Sequence, residues 1–108
     1  MMEQTIRRLR DERCAHRHFW ITEGYKRGQE DAEGLAYPQL MGYGTDVAFG
    51  NCDERAWCYL PDNVRTTAEA FALGLDSDSP EFGIDKDAFS EGWFRAINEA
   101  WEQVVDKL

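Results

Sequence analysis

Cysteine, proline and methionine are scarce: 108 residues hold three of each, too few for a disulfide scaffold or a proline-rich linker. The odd cysteine count, with no apolar export signal behind the first residues, predicts free thiols in the cytoplasm of a bacterial or phage-infected cell. Long hydrophobic runs are missing as well. The longest uncharged stretch, Gly34 to Thr45, is interrupted by Pro38, Gln39, Gly42 and Gly44, so no membrane span is expected. Bases are outnumbered, with 12 Lys and Arg against 21 Asp and Glu, a net charge of −9. Aromatics are not scarce: four Trp, four Tyr and six Phe in a chain that is 43% hydrophobic exclude wholesale disorder. Residues 1–108 therefore read as a single soluble acidic helical domain, able to bury roughly two-thirds of its unfolded surface without metal or disulfides.

Catalytic signatures are absent too. No serine has the context of a nucleophile elbow, Gly42-Tyr43-Gly44 is too short to cradle phosphate, and both histidines sit in an arginine-rich stretch. The expectation is a protein that is not an enzyme and uses no cofactor. Cys14, His16, His18, Cys52 and Cys58 leave a zinc-dependent sensor or enzyme open as an alternative, but their spacings match no common zinc module. Buried free cysteines and surface histidines, with no metal, are the expected arrangement. Asp76 to Asp87 offers acids at positions 1, 3 and 12 of a calcium-type loop. It then places Pro80 and Glu81 at positions 5 and 6, where a ligand and a sharp-turning glycine are required.

Charge is unevenly spread. Residues 1–28 carry a net +3, from seven bases and four acids, while residues 29–108 carry −12. The basic part opens with an arm, residues 1–18, holding Arg7, Arg8, Arg10, Arg13 and Arg17. Such an acidic body repels phosphate and anionic lipid and attracts basic partners.

Helical periodicity dominates. Ile6, Leu9, Arg13, His16, Trp20, Gly24, Gly28, Ala32 and Leu35 recur at steps of three and four and predict a helix from about Glu3 to Gly34, closed by Pro38. Phe19 to Thr22 is a conceivable break. Residues 38–63 read as a long irregular segment with room for a short β-hairpin at Gly50-Asn51. A further helix is expected from Asp62, or from Thr66, where Thr66-Thr67-Ala68-Glu69 has capping-box form, to a stop at Gly74. The last helix runs from Asp85 or Asp87 to Lys107, with Phe89, Trp93, Ala96, Ile97, Ala100, Trp101, Val104 and Leu108 as a continuous apolar stripe, of which Trp93, Ile97, Ala100, Trp101 and Val104 are expected to be buried. The predicted class is mainly α, three or four helices.

Two stretches are alike. Thr22-Glu23-Gly24-Tyr25-Lys26-Arg27-Gly28 aligns on Ser90-Glu91-Gly92-Trp93-Phe94-Arg95-Ala96 at an offset of 68. Each continues to a third small residue, Ala32 and Ala100. Small residues every four positions let helix backbones approach closely, which predicts that the first and last helices cross through these two faces.

Ala70-Phe71-Ala72-Leu73-Gly74-Leu75, Pro80-Glu81-Phe82 and Phe89-Ser90-Glu91-Gly92-Trp93-Phe94-Arg95-Ala96 resemble, over about residues 68–100, the motif of ribosome modulation factor and related small bacterial and phage proteins. The resemblance implies two helices joined by a Pro-aromatic turn, packed through Phe71, Phe82, Phe89 and Trp93. The family's RNA binding does not carry over to so acidic a stretch.

The leading functional expectation is a protein-binding inhibitor or modulator, such as a phage-encoded anti-defence factor of anti-CRISPR type. Its carboxylates would occupy a partner's basic nucleic-acid-binding surface as a nucleic-acid mimic. Asp76, Asp78, Glu81, Asp85 and Asp87 are the candidate partner-binding residues. A ribosome- or RNA-associated factor acting through the arm is the alternative.

Overall fold

In the computed structural model, which describes residues 2–46, 56–75 and 83–107, the chain is helical almost throughout. Helix α1 (Met2–Gly34) is followed by α2 (Tyr37–Asp46), the single turn α3 (Ala56–Tyr59), α4 (Asp62–Leu73) and α5 (Lys86–Lys107). The described residues contain no strand, so the hairpin expected within 38–63 finds no support there; Gly50-Asn51 itself lies outside them. Much of that segment is helix, and Gly44 within it serves packing rather than turning. Gly44 lies so close to α5 that a Cβ there would come within 2.8 Å of the Cβ of Trp101. Pro38 stands in the first turn of α2, where its missing N–H costs nothing, and the Gln39 side chain accepts from the Ala36 N–H at 3.2 Å.

α1 is unbroken through Phe19 to Thr22. The conceivable break there is removed by packing: Trp20 is fully buried and the next turns of α1 lie against α5. α4 starts at Asp62, and Thr66 lies within it, its hydroxyl donating back to the Asp62 carbonyl at 2.9 Å instead of capping. Gly74 does end this helix, in ordinary right-handed conformation.

α1 and α5 form the frame. Arg13 meets Asp85, Arg17 meets Glu91 and Tyr25 meets Glu99, so the two helices run parallel. A Cβ on Gly24 would stand 2.0 Å from the Phe89 carbonyl oxygen, and one on Gly92 would stand 2.0 Å from that of Ile21. Gly28 repeats the relation with the Trp93 carbonyl at 2.6 Å. Residues 68 apart thus play the same part from opposite sides: each small residue receives the carbonyl of the position three before its counterpart. The sequence likeness is therefore also a pseudo-two-fold relation between the helices.

Trp20, Trp93, Phe94, Ile97 and Val64 form the fully buried centre, joined by Leu40, Trp57, Leu60, Phe89 and by Ala68 and Ala72 of α4. Ala100, Trp101 and Val104 near the end of α5, expected to be buried, are partly exposed. There Tyr37 lies on the Trp101 ring at 5.6 Å. At the other end α1 runs on past α5, and the described residues extend 58 Å along the long axis against 27 and 21 Å across.

Candidate functional site

Asp85 and Asp87 mark the N-terminal end of α5, and a cleft of about 500 Å³ opens between this end, α1 and α3. Asp85 is tied on both oxygens. One accepts the Ala88 N–H at 3.1 Å, capping the helix, and the other accepts from the Arg13 guanidinium at 2.6 Å. Its side chain is only 7% exposed. Burial pushes its carboxyl upward, but the Ala88 N–H and Arg13 outweigh burial and hold it below the usual carboxylate value. Asp87 is half-buried and lines the cleft together with Arg13 and His16 of α1 and with Lys86, whose ammonium lies 5.5 Å from the centre of the Trp57 ring. The cleft thus holds charges of both signs and is not an acidic patch.

Of the five candidate partner-binding residues, Asp76, Asp78 and Glu81 lie outside the described residues. Asp87 faces the cleft. Asp85 has an internal role, fastening α1 to α5, that leaves it little surface to offer a partner.

The arm is also reassigned in part. Arg13 and Arg17 bind Asp85 and Glu91, the latter at 2.9 Å, whereas Arg7 and Arg10 have no ion pair among the described residues and Arg8 has only Glu12 at 3.9 Å. In sequence all five arginines form one basic group. The signal that separates them is the stripe: Arg13 shares the face of Trp20, which meets α5, and Arg17 stands one turn before Ile21, where the two backbones touch.

Most cations of the body are likewise engaged: Lys26 with Glu23, Arg27 with Asp31, Arg65 with Asp62 and Arg95 with Glu91. Asp31 also accepts from the indole of the buried Trp93 at 2.8 Å. Surplus carboxylates remain. Glu30 and Glu33 in the last turns of α1, and Glu102 and Asp106 in the last turns of α5, are exposed and have no ion pair among the described residues. Parallel packing brings these two acidic helix ends to the same end of the molecule, opposite the arm. Tyr25, nearer the middle, donates to Glu99, and that bond raises the phenol above its usual value.

Cys14 and Cys58 are exposed, against the expectation of burial. Both lie where no second helix covers them, Cys14 on the arm and Cys58 on the single turn α3. His16 is half-buried at the cleft, His18 is exposed, and Cys52 lies outside the described residues. Among the described residues no three His, Cys, Asp or Glu side chains come together as a metal site, and no helix is long and apolar enough to cross a membrane.

No protein-family model, curated protein or solved structure matches the chain. Of the four aromatic residues expected to pack together within residues 68–100, Phe89 and Trp93 are buried. Phe71 is 43% exposed and packs on Phe19 and Trp20 of α1, while Phe82 lies outside the described residues.

Proposed function

We propose that this chain is a non-enzymatic binding protein whose acidic end engages a basic surface of another protein, in the place nucleic acid would take. The observation that carries this reading is the pole formed by Glu30, Glu33, Glu102 and Asp106, where two parallel helices terminate together. Carboxylates at helix C-termini oppose the helix dipole, so they do not serve the stability of their own helices. They add to the partial negative charge of the free carbonyls there, and a cationic groove would relieve both. Asp76, Asp78 and Glu81 belong to this reading through their charge, whereas Asp87 lines the mixed-charge cleft at the N-terminal end of α5, away from the pole.

The RNA-associated alternative is narrowed to Arg7, Arg8 and Arg10, since Arg13 and Arg17 are bound to carboxylates of α5.

Affinity capture from the source cell, followed by mass spectrometry, supplies the partner. Association should then slow steeply as salt rises, and Glu30→Gln, Glu33→Gln, Glu102→Gln and Asp106→Asn together should slow it further without altering the circular dichroism. Nucleic acid and this protein should exclude one another on the partner. A ternary complex in size-exclusion chromatography would overturn the reading.

A further inference from the structure

The stripe of α1 that carries Trp20 into the core does not stop where α5 begins. Met2, Ile6, Leu9, Arg13, His16 and Trp20 follow one another at steps of 4-3-4-3-4, a heptad seam. Trp20 is buried in the core and Arg13 closes on Asp85, so this seam is an interface in the body. Above Arg13 it runs on, with Met2 76%, Ile6 50% and Leu9 52% exposed. The same interface is therefore continued, beyond the first residue of α5, by three turns with nothing packed on them among the described residues.

We propose that a second copy of this chain fills that place, the two arms pairing antiparallel so that Ile6 of each packs on Leu9 of the other. The flanking charges select this occupant and this direction. In that register Glu3 of one copy lies beside Arg10 of the other, twice by symmetry, while Arg7 and Arg8 point outward into solvent. Neither Glu3 nor Arg10 has an ion pair among the described residues, so both are free for it. A parallel pair would instead set Arg10 beside Thr5 of the other copy and leave Glu3 with no facing residue. Antiparallel arms also oppose their helix dipoles favourably and place the two acidic poles at the far ends of the assembly, where they repel least. The inference is independent of the function proposed above, which uses the opposite end of the molecule.

Residues 2–12 rise only about 16 Å, so this contact belongs with the small interfaces that bury about 1,200 Å² or less, and the dimer must be concentration-dependent. Sedimentation equilibrium under reducing conditions, which keep Cys14 and Cys58 from cross-linking, tests it. From micromolar to millimolar protein, the mass should climb from 12.5 kDa towards twice that value. Ile6→Glu with Leu9→Glu should hold it at the monomer with an unchanged melting temperature, since both residues lie outside the core. Glu3→Arg alone should lower the dimer fraction several-fold, and adding Arg10→Glu should restore it. A wild-type chain that stays monomeric at millimolar concentration overturns the proposal, as does an Ile6→Glu, Leu9→Glu variant that dimerises like the parent. Failure of the charge exchange to restore association overturns the antiparallel pairing.

Discussion

Residues 2–12 of α1 are exposed on every side, whereas Trp20, Gly24 and Gly28 of the same helix are buried against α5. The first region must be held by local forces: good helix formers such as Arg, Leu and Glu, the Arg8–Glu12 pair, and Glu3 at the favourable end of the dipole. In the second, glycines that weaken an isolated helix occur at every fourth position, and stability comes from the contact they permit. Helix propensity and packing thus trade places along one continuous element. An interior position tolerates a poor helix former where backbone closeness is the reward, and an arm without a core must be written in good ones.

The sharpest way to break this contrast is to add volume to the buried region. Gly24→Leu or Gly92→Leu would drive a side chain into a backbone carbonyl, and neither helix can give way without opening the frame. We expect loss of cooperative unfolding, or a cost above about 3 kcal/mol, although leucine is the better helix former. Gly28→Leu should act in the same direction. Gly42→Ala in α2 is the control: nothing lies within 4 Å of the added methyl, and a gain of about 0.5–1 kcal/mol is expected in urea unfolding. A higher melting temperature for Gly28→Leu would dismiss the close approach.

Truncation of the core comes next. Trp20→Ala should cost about 3–5 kcal/mol, and Trp101→Ala less, about 1–3 kcal/mol, because its ring is partly exposed at the thinner end of α5. Equal losses at the two sites would mean that the end of α5 near Trp101 is as well packed as the centre.

The junction between the two regions is the Arg13–Asp85 pair. Asp85→Ala should cost about 1 kcal/mol through the lost cap. Because its folded value lies below that of the unfolded chain, the ionised carboxylate stabilises the fold above the ordinary carboxylate value of about 3.9, and this is lost as pH falls through the lower folded value. The stability gap between the wild type and Asp85→Asn should therefore be full at neutral pH and close in acid, as urea titrations at a series of pH values would show. A gap independent of pH would place the effect in packing instead.

The smallest expected change is in the arm. Ile6→Ala should alter stability by less than about 0.5 kcal/mol in dilute solution. A larger loss there would mean that the arm is covered even in the monomer.

The helices were legible to different depths. α5 could be read nearly to the residue, since its stripe, its acidic start and Lys107 all agree. The extent of α1 was equally plain. The turn into α2 was not: Gly42, Gly44 and Pro38 have the composition of a loop, and only the ring of Trp101 beside Gly44 explains why a helix forms there. Thr66 had the form of a cap and lies inside a helix, because a capping box is local while the helix start at Asp62 is set by Pro61 and by burial of Val64. Among the candidate site residues, the acidity of the region was evident, but which carboxylates are free was not. Asp85 and Glu91 find their arginines 72 and 74 residues away, a pairing that no local pattern contains.

Sequence alone determined the helical class, the apolar stripes and the two matching small-residue faces, because all three depend on spacing within one segment and on the fixed geometry of the helix. Only the tertiary structure decided that α1 and α5 run parallel, that Arg13 and Arg17 are neutralised while Arg7 and Arg10 find no ion pair among the described residues, and that the acidic ends of two helices share one pole. Those outcomes depend on which distant segments meet, and a charge acquires its role from the neighbour that folding brings to it.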